Sequence, residues 1–116
     1  MTAEQFRRLV LSFANAEEHS HHGHPDFRVG GKIFATLGYP NDKRAMVRLT
    51  PEAQAELVHD YPQVFTLAAG AWGRQGSTSV DLPKARKAEM TRAVEAAWQN
   101  AVAAAAASGK RKSAKR

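Results

Sequence analysis

The sequence predicts an α+β domain in which helices pack on one antiparallel sheet, in the two-layer order α-β-β-β-α-β-β-α. Two observations predict it. Amphipathic helical segments stand near both ends and in the middle of the chain, and the short β-prone runs between them are separated by Gly- and Pro-containing turns. Regular β-α-β alternation does not occur, so we expect hairpins and hence antiparallel pairing. With 116 residues, the chain has the length of one domain.

The first helix is predicted over roughly residues 3–14. Thr2 and Gln5 have the spacing of a capping box. Apolar residues then follow at i, i+3, i+4 and i+7, namely Phe6, Leu9, Val10 and Phe13. We expect this apolar face to pack on the sheet.

Three strands are predicted in "DFRVGG", "KIFATLG" and "AMVRLT", because Gly30-Gly31 and Pro40-Asn41-Asp42 are turn signals. Alternation with period two directs one set toward the core: Phe27, Val29, Ile33, Ala35, Leu37, Val47 and Leu49. It leaves another set on the opposite face: Arg28, Lys32, Phe34, Thr36 and Arg48. In the second of these strands, Phe34 could equally face the core.

The second half of the chain predicts a helix, two strands and a long helix. Thr50-Pro51-Glu52 has the features of a helix start for "PEAQAELVHDY", since Thr caps free amides and Pro suits the first position. "QVFTLA" and "STSVDL" are predicted strands around the glycine-punctuated connection "AGAWGRQG". The last helix begins near Pro83 and has one apolar side: Met90, Ala93, Val94, Ala97, Trp98, Ala101 and Val102.

The positive charge is concentrated in the tail. The chain has 17 Lys and Arg against 11 Asp and Glu, a formal net charge of +6. Five of the basic residues lie in "GKRKSAKR", so residues 1–109 hold 12 basic and 11 acidic residues. Glycine and like-charge repulsion favour fraying there, and we expect a domain over residues 1–107 and a disordered basic tail over 108–116.

Composition predicts a cytoplasmic monomer. No apolar run approaches the roughly 20 residues that span a bilayer, and charges interrupt the apolar pattern of the N-terminus, unlike a secretory signal. The lack of cysteine excludes disulfides, thiolate metal sites and thiol nucleophiles. No nucleophile elbow, paired-carboxylate pattern or P-loop occurs, so we expect neither an enzyme nor a cofactor.

Four motifs together resemble the MmcQ/YjbR family of small bacterial proteins: "HHGHPDFRVGGKIFATLGY", "VRLTPEAQAELVHDYPQVF", "GAWGRQGSTSVDL" and a closing helix with "AAW". The resemblance covers roughly residues 3–102 and implies an α-β3-α-β2-α two-layer fold. The family is labelled DNA-binding, whereas the same shape is similar to secretion-chaperone and CyaY-like folds that bind proteins. Asn15, with Ala14, departs from the family's "LPGAEE"-like helix exit, which leaves the end of the first helix open.

The histidine-rich stretch "HSHHGHPDF" raises the question of a metal site. Imidazoles bind Zn²⁺, Ni²⁺ or Cu²⁺, and Asp26 offers an oxygen. The spacing i, i+2, i+3, i+5 contains no helical i, i+4 pair, and Gly23 and Pro25 interrupt any regular arrangement. We therefore expect this stretch to form a structured entry to the first strand and to bind no metal. In the alternative hypothesis, His22 and His24 are metal ligands.

The connection "WGRQG" and the outer sheet face are the candidate binding elements. Gly73 and Gly76 bracket two residues as a GXXG loop does when it clamps a nucleic-acid backbone, although in KH domains that loop joins two helices. A KH assignment therefore fails, and we expect the glycines to allow a tight turn or bulge with Trp72 packed beneath it. The nucleic-acid-binding candidates are Lys32, Arg48, Trp72, Arg74, Gln75, Lys110, Arg111 and Lys112. We expect non-specific contacts with the DNA backbone; the alternative is a chaperone-like protein-interaction module with no nucleic-acid role.

Overall fold

Six strands and four helices form the described part of the chain, which in this computed structural model comprises residues 1–21, 23–38 and 41–114, without the side chains of residues 21 and 109–114. The strands are β1 (Glu17–His21), β2 (His24–Val29), β3 (Lys32–Leu37), β4 (Arg44–Arg48), β5 (Phe65–Leu67) and β6 (Ser77–Asp81). The helices are α1 (Ala3–Leu11), α2 (Pro51–Asp60), α3 (Gly70–Arg74) and α4 (Lys87–Ala114). The predicted α+β class, with helices packed on one antiparallel sheet, is confirmed.

The strands pair antiparallel in the order β1-β2-β3-β4-β6-β5. The apolar side of α4 lies against β2, β3 and β4, and Met90, Ala93, Val94 and Ala97 of this helix are fully buried. From the sheet, the large side chains of this core are Phe27, Phe34, Val47, Phe65 and Val80. Full burial of a phenylalanine contributes about 2–3 kcal/mol, so these side chains dominate the stability of the two layers.

A bulge in β3 reverses the expected positions of Ile33 and Phe34. The register pairs Phe27 with Ala35 and then Arg28 with Ile33, which leaves Phe34 without a partner across the strand. Because the extra residue resets the alternation, Phe34 and Ala35 are both fully buried, and Ile33 is only half-buried. The prediction that Ile33 faces the core and Phe34 the opposite side is therefore wrong, and the alternative for Phe34 is confirmed. The outer-face position predicted for Lys32 is wrong as well, because Lys32 pairs with the buried Val29 and lies on the side of the sheet that faces α4.

The segment before Pro25 adds an edge strand that the predicted order lacks. In β1 and β2 the register runs from Glu17 opposite Arg28 to His21 opposite His24. Between α1 and β1, Asn15 has a φ of 61°, the left-handed conformation that asparagine tolerates better than most residues. Helix α1 ends at Leu11, short of the expected residue 14.

The helix starts follow the predicted chemistry. The side chain of Thr2 accepts from the Gln5 amide at 3.1 Å, and the Gln5 side chain accepts in return from the Thr2 amide, which completes the capping box. Thr50 caps α2 in the same way, with its hydroxyl accepting from the Ala53 amide at 3.2 Å. Each such cap stabilises its helix by about 1 kcal/mol.

Helix α4 is longer than expected and is helical to Ala114. Its backbone thus continues through residues 108–114, where the sequence predicts a disordered tail; the division into a domain and a tail stays a prediction. None of the helices in the described ranges combines the length and the hydropathy needed to cross a membrane.

Candidate nucleic-acid interface

The sheet face directed away from the core carries a row of small and medium side chains. The register places Thr36, Met46, Ser79 and Thr66 side by side across β3, β4, β6 and β5. In the next row, Arg48 lies opposite Ser77. This outer face therefore displays hydroxyls, a thioether and a guanidinium between neighbouring strands.

A broad hollow of about 930 Å³ lies on this outer face. Its lining is formed by Ile33, Thr36, Arg44, Ala45, Met46, Arg48, Thr66, Leu67, Ala68, Ala69, Trp72, Ser77 and Ser79. The bulge in β3 explains the presence of Ile33, because that residue now points outward. The volume lies within the range of pockets that hold small organic ligands, and most of the lining is apolar.

Arg48 and Trp72 meet at one side of the hollow. The guanidinium carbon of Arg48 lies 5.5 Å from the centre of the Trp72 ring, within the distance of a cation–π contact. Trp72 is 62% exposed, so the expectation that it packs beneath the loop is wrong. An exposed indole next to a guanidinium offers two planar groups on which another flat group can stack.

The positive charge of the outer face is uneven. Arg28 donates two hydrogen bonds to Asp26, at 2.8 and 3.2 Å, and these bonds raise the pKa of the guanidinium. Arg44 is the register partner of Asp81. In the ranges the structure describes, neither Arg48 nor Lys32 has an ion pair with an acidic residue. These two cations thus lie at the same end of the sheet, Arg48 on the outer face and Lys32 on the side that faces α4.

A second, polar cleft adjoins the hollow at that end of the sheet. It has a volume of about 210 Å³, and its polar lining consists of Lys32, Arg48, Gln75, Ser77 and Asn100. Ile33, Arg48 and Ser77 line both the hollow and the polar cleft. The Asn100 side chain donates to the Arg48 carbonyl at 3.4 Å, which ties α4 to the end of β4.

Comparison with known proteins now identifies the family. A family model described as YjbR matches residues 11–100, more than three quarters of the chain. The chain belongs to the MmcQ/YjbR family. The match gives no activity, and no curated protein matches the chain.

Of the sequence candidates in this MmcQ/YjbR domain, the structure brings four together. Lys32, Arg48 and Gln75 line the polar cleft, and Arg48 and Trp72 line the hollow. Arg74 is exposed at the end of α3 and lines neither of them. The basic residues Lys110, Arg111 and Lys112 belong to the last turns of α4, and the structure describes only their backbone.

The interpretation of "WGRQG" as a GXXG loop is wrong, because the segment forms α3 and its C-terminal turn. Its glycines have steric roles. A Cβ on Gly73 would lie 1.9 Å from the Ala68 carbonyl oxygen, and one on Gly76 would lie 1.8 Å from that of Leu49. Gly76 also has a φ of 115°, which glycine alone adopts readily. The absence of a side chain at both positions lets the backbone of α3, and with it Trp72, lie close to Ala68 and to the end of β4.

Gln54 positions the same segment and was not among the sequence candidates. It is 4% exposed, and its amide nitrogen lies 2.9 Å from the Gly73 carbonyl oxygen, 3.1 Å from that of Ser77 and 3.2 Å from the Thr78 hydroxyl. These acceptors share its two amide hydrogens, so α2 is joined to both α3 and β6. Gln54 precedes Leu57 by three residues, a spacing that places both residues on the same, buried side of α2. This spacing is the sequence signal that could have identified Gln54.

The backbone of α4 leaves the domain at the polar cleft. A Cβ on Gly30, in the turn between β2 and β3, would lie 2.6 Å from the Cβ of Ala105. The helix continues for nine residues beyond that point, to Ala114. At 1.5 Å per residue this is about 14 Å, so the basic end of α4 starts from the end of the sheet that carries Lys32 and Arg48.

The histidine-rich strand presents no metal site in the described ranges. Among the described side chains, which do not include those of His21 and His22, no group of three or more His, Asp or Glu is placed to hold an ion. Of the two ligands in the alternative hypothesis, His22 lies outside the described residues and His24 begins β2. His19 instead lies 3.3 Å from Glu17, its neighbour on the same side of β1.

Proposed function

We propose that this protein binds DNA without sequence preference, through the outer sheet face and the basic end of α4. The observation that carries the proposal is the contact between Arg48 and the exposed ring of Trp72 in a hollow where cations outnumber acids. Guanidinium groups bind phosphates, and exposed aromatic rings stack on bases of any identity. The proposal assigns no chemical reaction to the protein.

The charge distribution supports the same conclusion. Among the described residues, Lys32, Arg44 and Arg48 line the two clefts, and no acidic side chain does. The helix that leaves the polar cleft carries Lys110, Arg111 and Lys112 near its end. A DNA strand that runs from the outer face past this end of the sheet therefore meets Arg44 and Arg48 on the outer face, then Lys32 and the basic end of α4.

A protein-interaction module is the second candidate, and the exposed apolar side chains favour it. Leu67 is 50% exposed on the edge strand β5 and lines the same hollow as Trp72. Apolar side chains and a free strand edge are features that peptide-binding domains use. The two functions differ in salt dependence, because phosphate contacts release counterions and apolar contacts do not.

The first prediction tests DNA binding by fluorescence anisotropy over a salt series. We expect the logarithm of the affinity to fall linearly with the logarithm of the salt concentration. On duplex DNA, Arg48→Gln should make this slope shallower by about 0.9, which corresponds to the loss of one phosphate contact. A chain that ends at Ser108 should lose more of the slope, since it lacks all five basic residues of the tail. Arg86→Gln is the matched control, because Arg86 is exposed and lines neither cleft.

Three outcomes separate the candidates. If Arg48→Gln and Arg86→Gln have equal effects, the outer face does not bind DNA. If the chain ending at Ser108 loses all binding, the tail alone is responsible. If the full chain binds no DNA at any salt concentration, the proposal is wrong, and the protein-interaction function becomes the one to pursue.

A further inference from the structure

The two clefts adjoin, and their linings are chemically different. Besides two guanidiniums and several hydroxyls, the hollow contributes an indole, a thioether and aliphatic groups, whereas the polar cleft contributes an ammonium, a guanidinium and two amides beside the aliphatic side chains of Ile33, Leu49, Ala97, Ala101 and Ala104. Arg48 belongs to both. A ligand that filled both clefts would need a flat, largely apolar part and an anionic part next to each other.

We propose that the two clefts together form a site for one nucleotide unit of single-stranded DNA, with the base in the hollow against Trp72 and its phosphate in the polar cleft. The inference rests on the proposed DNA-binding function and deepens it, because it specifies the form of DNA and the role of each cleft. Lys32 and Arg48 neutralise the phosphate, and Gln75 and Asn100 supply neutral donors.

The shape of the hollow is what selects the single strand. In a duplex the bases are stacked and paired. A protein surface that inserts no side chain between the base pairs therefore contacts only phosphates, sugars and the base edges in the grooves. Such contacts would leave the apolar lining and the exposed part of the Trp72 indole uncovered by DNA. An unpaired base has a free face, and it can enter a hollow of about 930 Å³ and stack on the ring.

The polar cleft suits a phosphate rather than a second base. Its volume of about 210 Å³ is less than a quarter of that of the hollow. Its walls of Lys32, Arg48, Gln75 and Asn100 offer donors from β3, β4, the turn after α3, and α4. No acid lines it in the described ranges, so an anion there meets no repulsion from the walls.

The test compares three labelled probes of about 12 nucleotides at one low salt concentration: a thymidine single strand, a duplex of equal length, and a single strand without bases. We expect the thymidine strand to bind roughly five- to 150-fold more tightly than the abasic strand, the range for stacking of one base. Trp72→Ala should remove that difference. Lys32→Gln should weaken both single strands, and Arg86→Gln should weaken them less.

Tryptophan emission gives a direct readout of the stacked base. The chain has two tryptophans, and Trp98→Phe leaves Trp72 as the only tryptophan, which can be excited selectively at the red edge of its absorption; the variant keeps an aromatic ring against Phe13 but loses the hydrogen bond from Trp98 to the Ala14 carbonyl. In this variant we expect the thymidine strand to quench the emission and the abasic strand to leave it nearly unchanged.

The outcomes distinguish this inference from the function on which it rests. Equal affinity for all three probes with unchanged Trp72 emission would overturn the nucleotide site while DNA binding stands. Unchanged affinity of Lys32→Gln for the single strands would overturn the assignment of the phosphate to the polar cleft. If none of the probes binds, the proposed function itself is wrong.

Discussion

Arg48 is the residue on which both parts of the candidate interface depend. It ends β4, its guanidinium lies over Trp72, and its backbone carbonyl accepts from Asn100. The side chain is thus held between the hollow and the polar cleft by an aromatic ring, while its backbone is held by α4. An arginine in such surroundings needs little ordering on binding, which lowers the entropic cost of a phosphate contact.

The glycine in α3 gives a second prediction, on stability. Gly73→Ala should destabilise the protein by about 3 kcal/mol, because the added Cβ would overlap the Ala68 carbonyl, which belongs to the backbone and has little room to move. Gly70→Ala is the matched variant in the same helix: its φ is 70°, but a Cβ there would meet nothing within 4 Å. We expect it to cost only about 1 kcal/mol.

Urea unfolding of both variants measures the difference. Equal losses of stability would mean that backbone conformation, and not the approach of α3 to Ala68, sets the requirement for glycine in this segment.

Between elements, a group of charged side chains joins α2 to α4. Asp60 accepts from His59, with an Oδ1–Nδ1 distance of 3.3 Å, and from Arg92, with an Oδ2–Nη1 distance of 3.1 Å. These hydrogen bonds, that of His59 first, lower the pKa of Asp60 below its ordinary value. Because the folded-state pKa is lowered, the stabilisation is present above about pH 4, the unfolded value, and is lost as the pH falls through the folded pKa.

The third prediction concerns this carboxyl group. His59→Ala and Arg92→Gln should each raise the pKa of Asp60 toward its ordinary value, measured from the pH dependence of its side-chain carbon shift by NMR. Arg86→Gln removes the same charge from a residue that has no described ion pair with Asp60, and it should leave the pKa unchanged. An Asp60 pKa that stays low in both His59→Ala and Arg92→Gln would contradict the assigned cause.

For the whole molecule, the core ends well before the chain does. The last buried apolar side chain of α4 in the described part is Ala101, and the turn at Gly30 approaches the helix at Ala105. The buried part of α4 in the described ranges therefore ends before the segment that carries Lys110, Arg111 and Lys112.

The fourth prediction follows from this layout. A chain that ends at Ser108 should unfold within about 0.5 kcal/mol of the full chain, because every buried side chain described in α4 precedes that point. A chain that ends at Gln99 should lose about 2 kcal/mol, from the burial of Ala101 and the hydrogen bond from Asn100 to the Arg48 carbonyl. Equal stability of the two truncated chains, by thermal unfolding, would contradict this division.

Much of the fold was predictable because local signals decide it. Capping at Thr2 and Thr50 requires only residues three positions apart, and the period of α4 places Met90, Val94 and Ala97 on one side whatever lies opposite. The family motifs likewise lie in the sequence. These features determined the α+β class and the family before any packing was known.

The candidate site depended on packing between distant segments, and the sequence identified only some of its members. Arg48 and Trp72 were both candidates, but their contact requires the close approach of α3 to Ala68 and Leu49, which Gly73 and Gly76 permit. The bulge that turns Ile33 into the hollow arises in the pairing of β2 with β3, and alternation within one strand cannot reveal it. Local propensity thus set the elements, and only the tertiary structure decided which side chains share a surface.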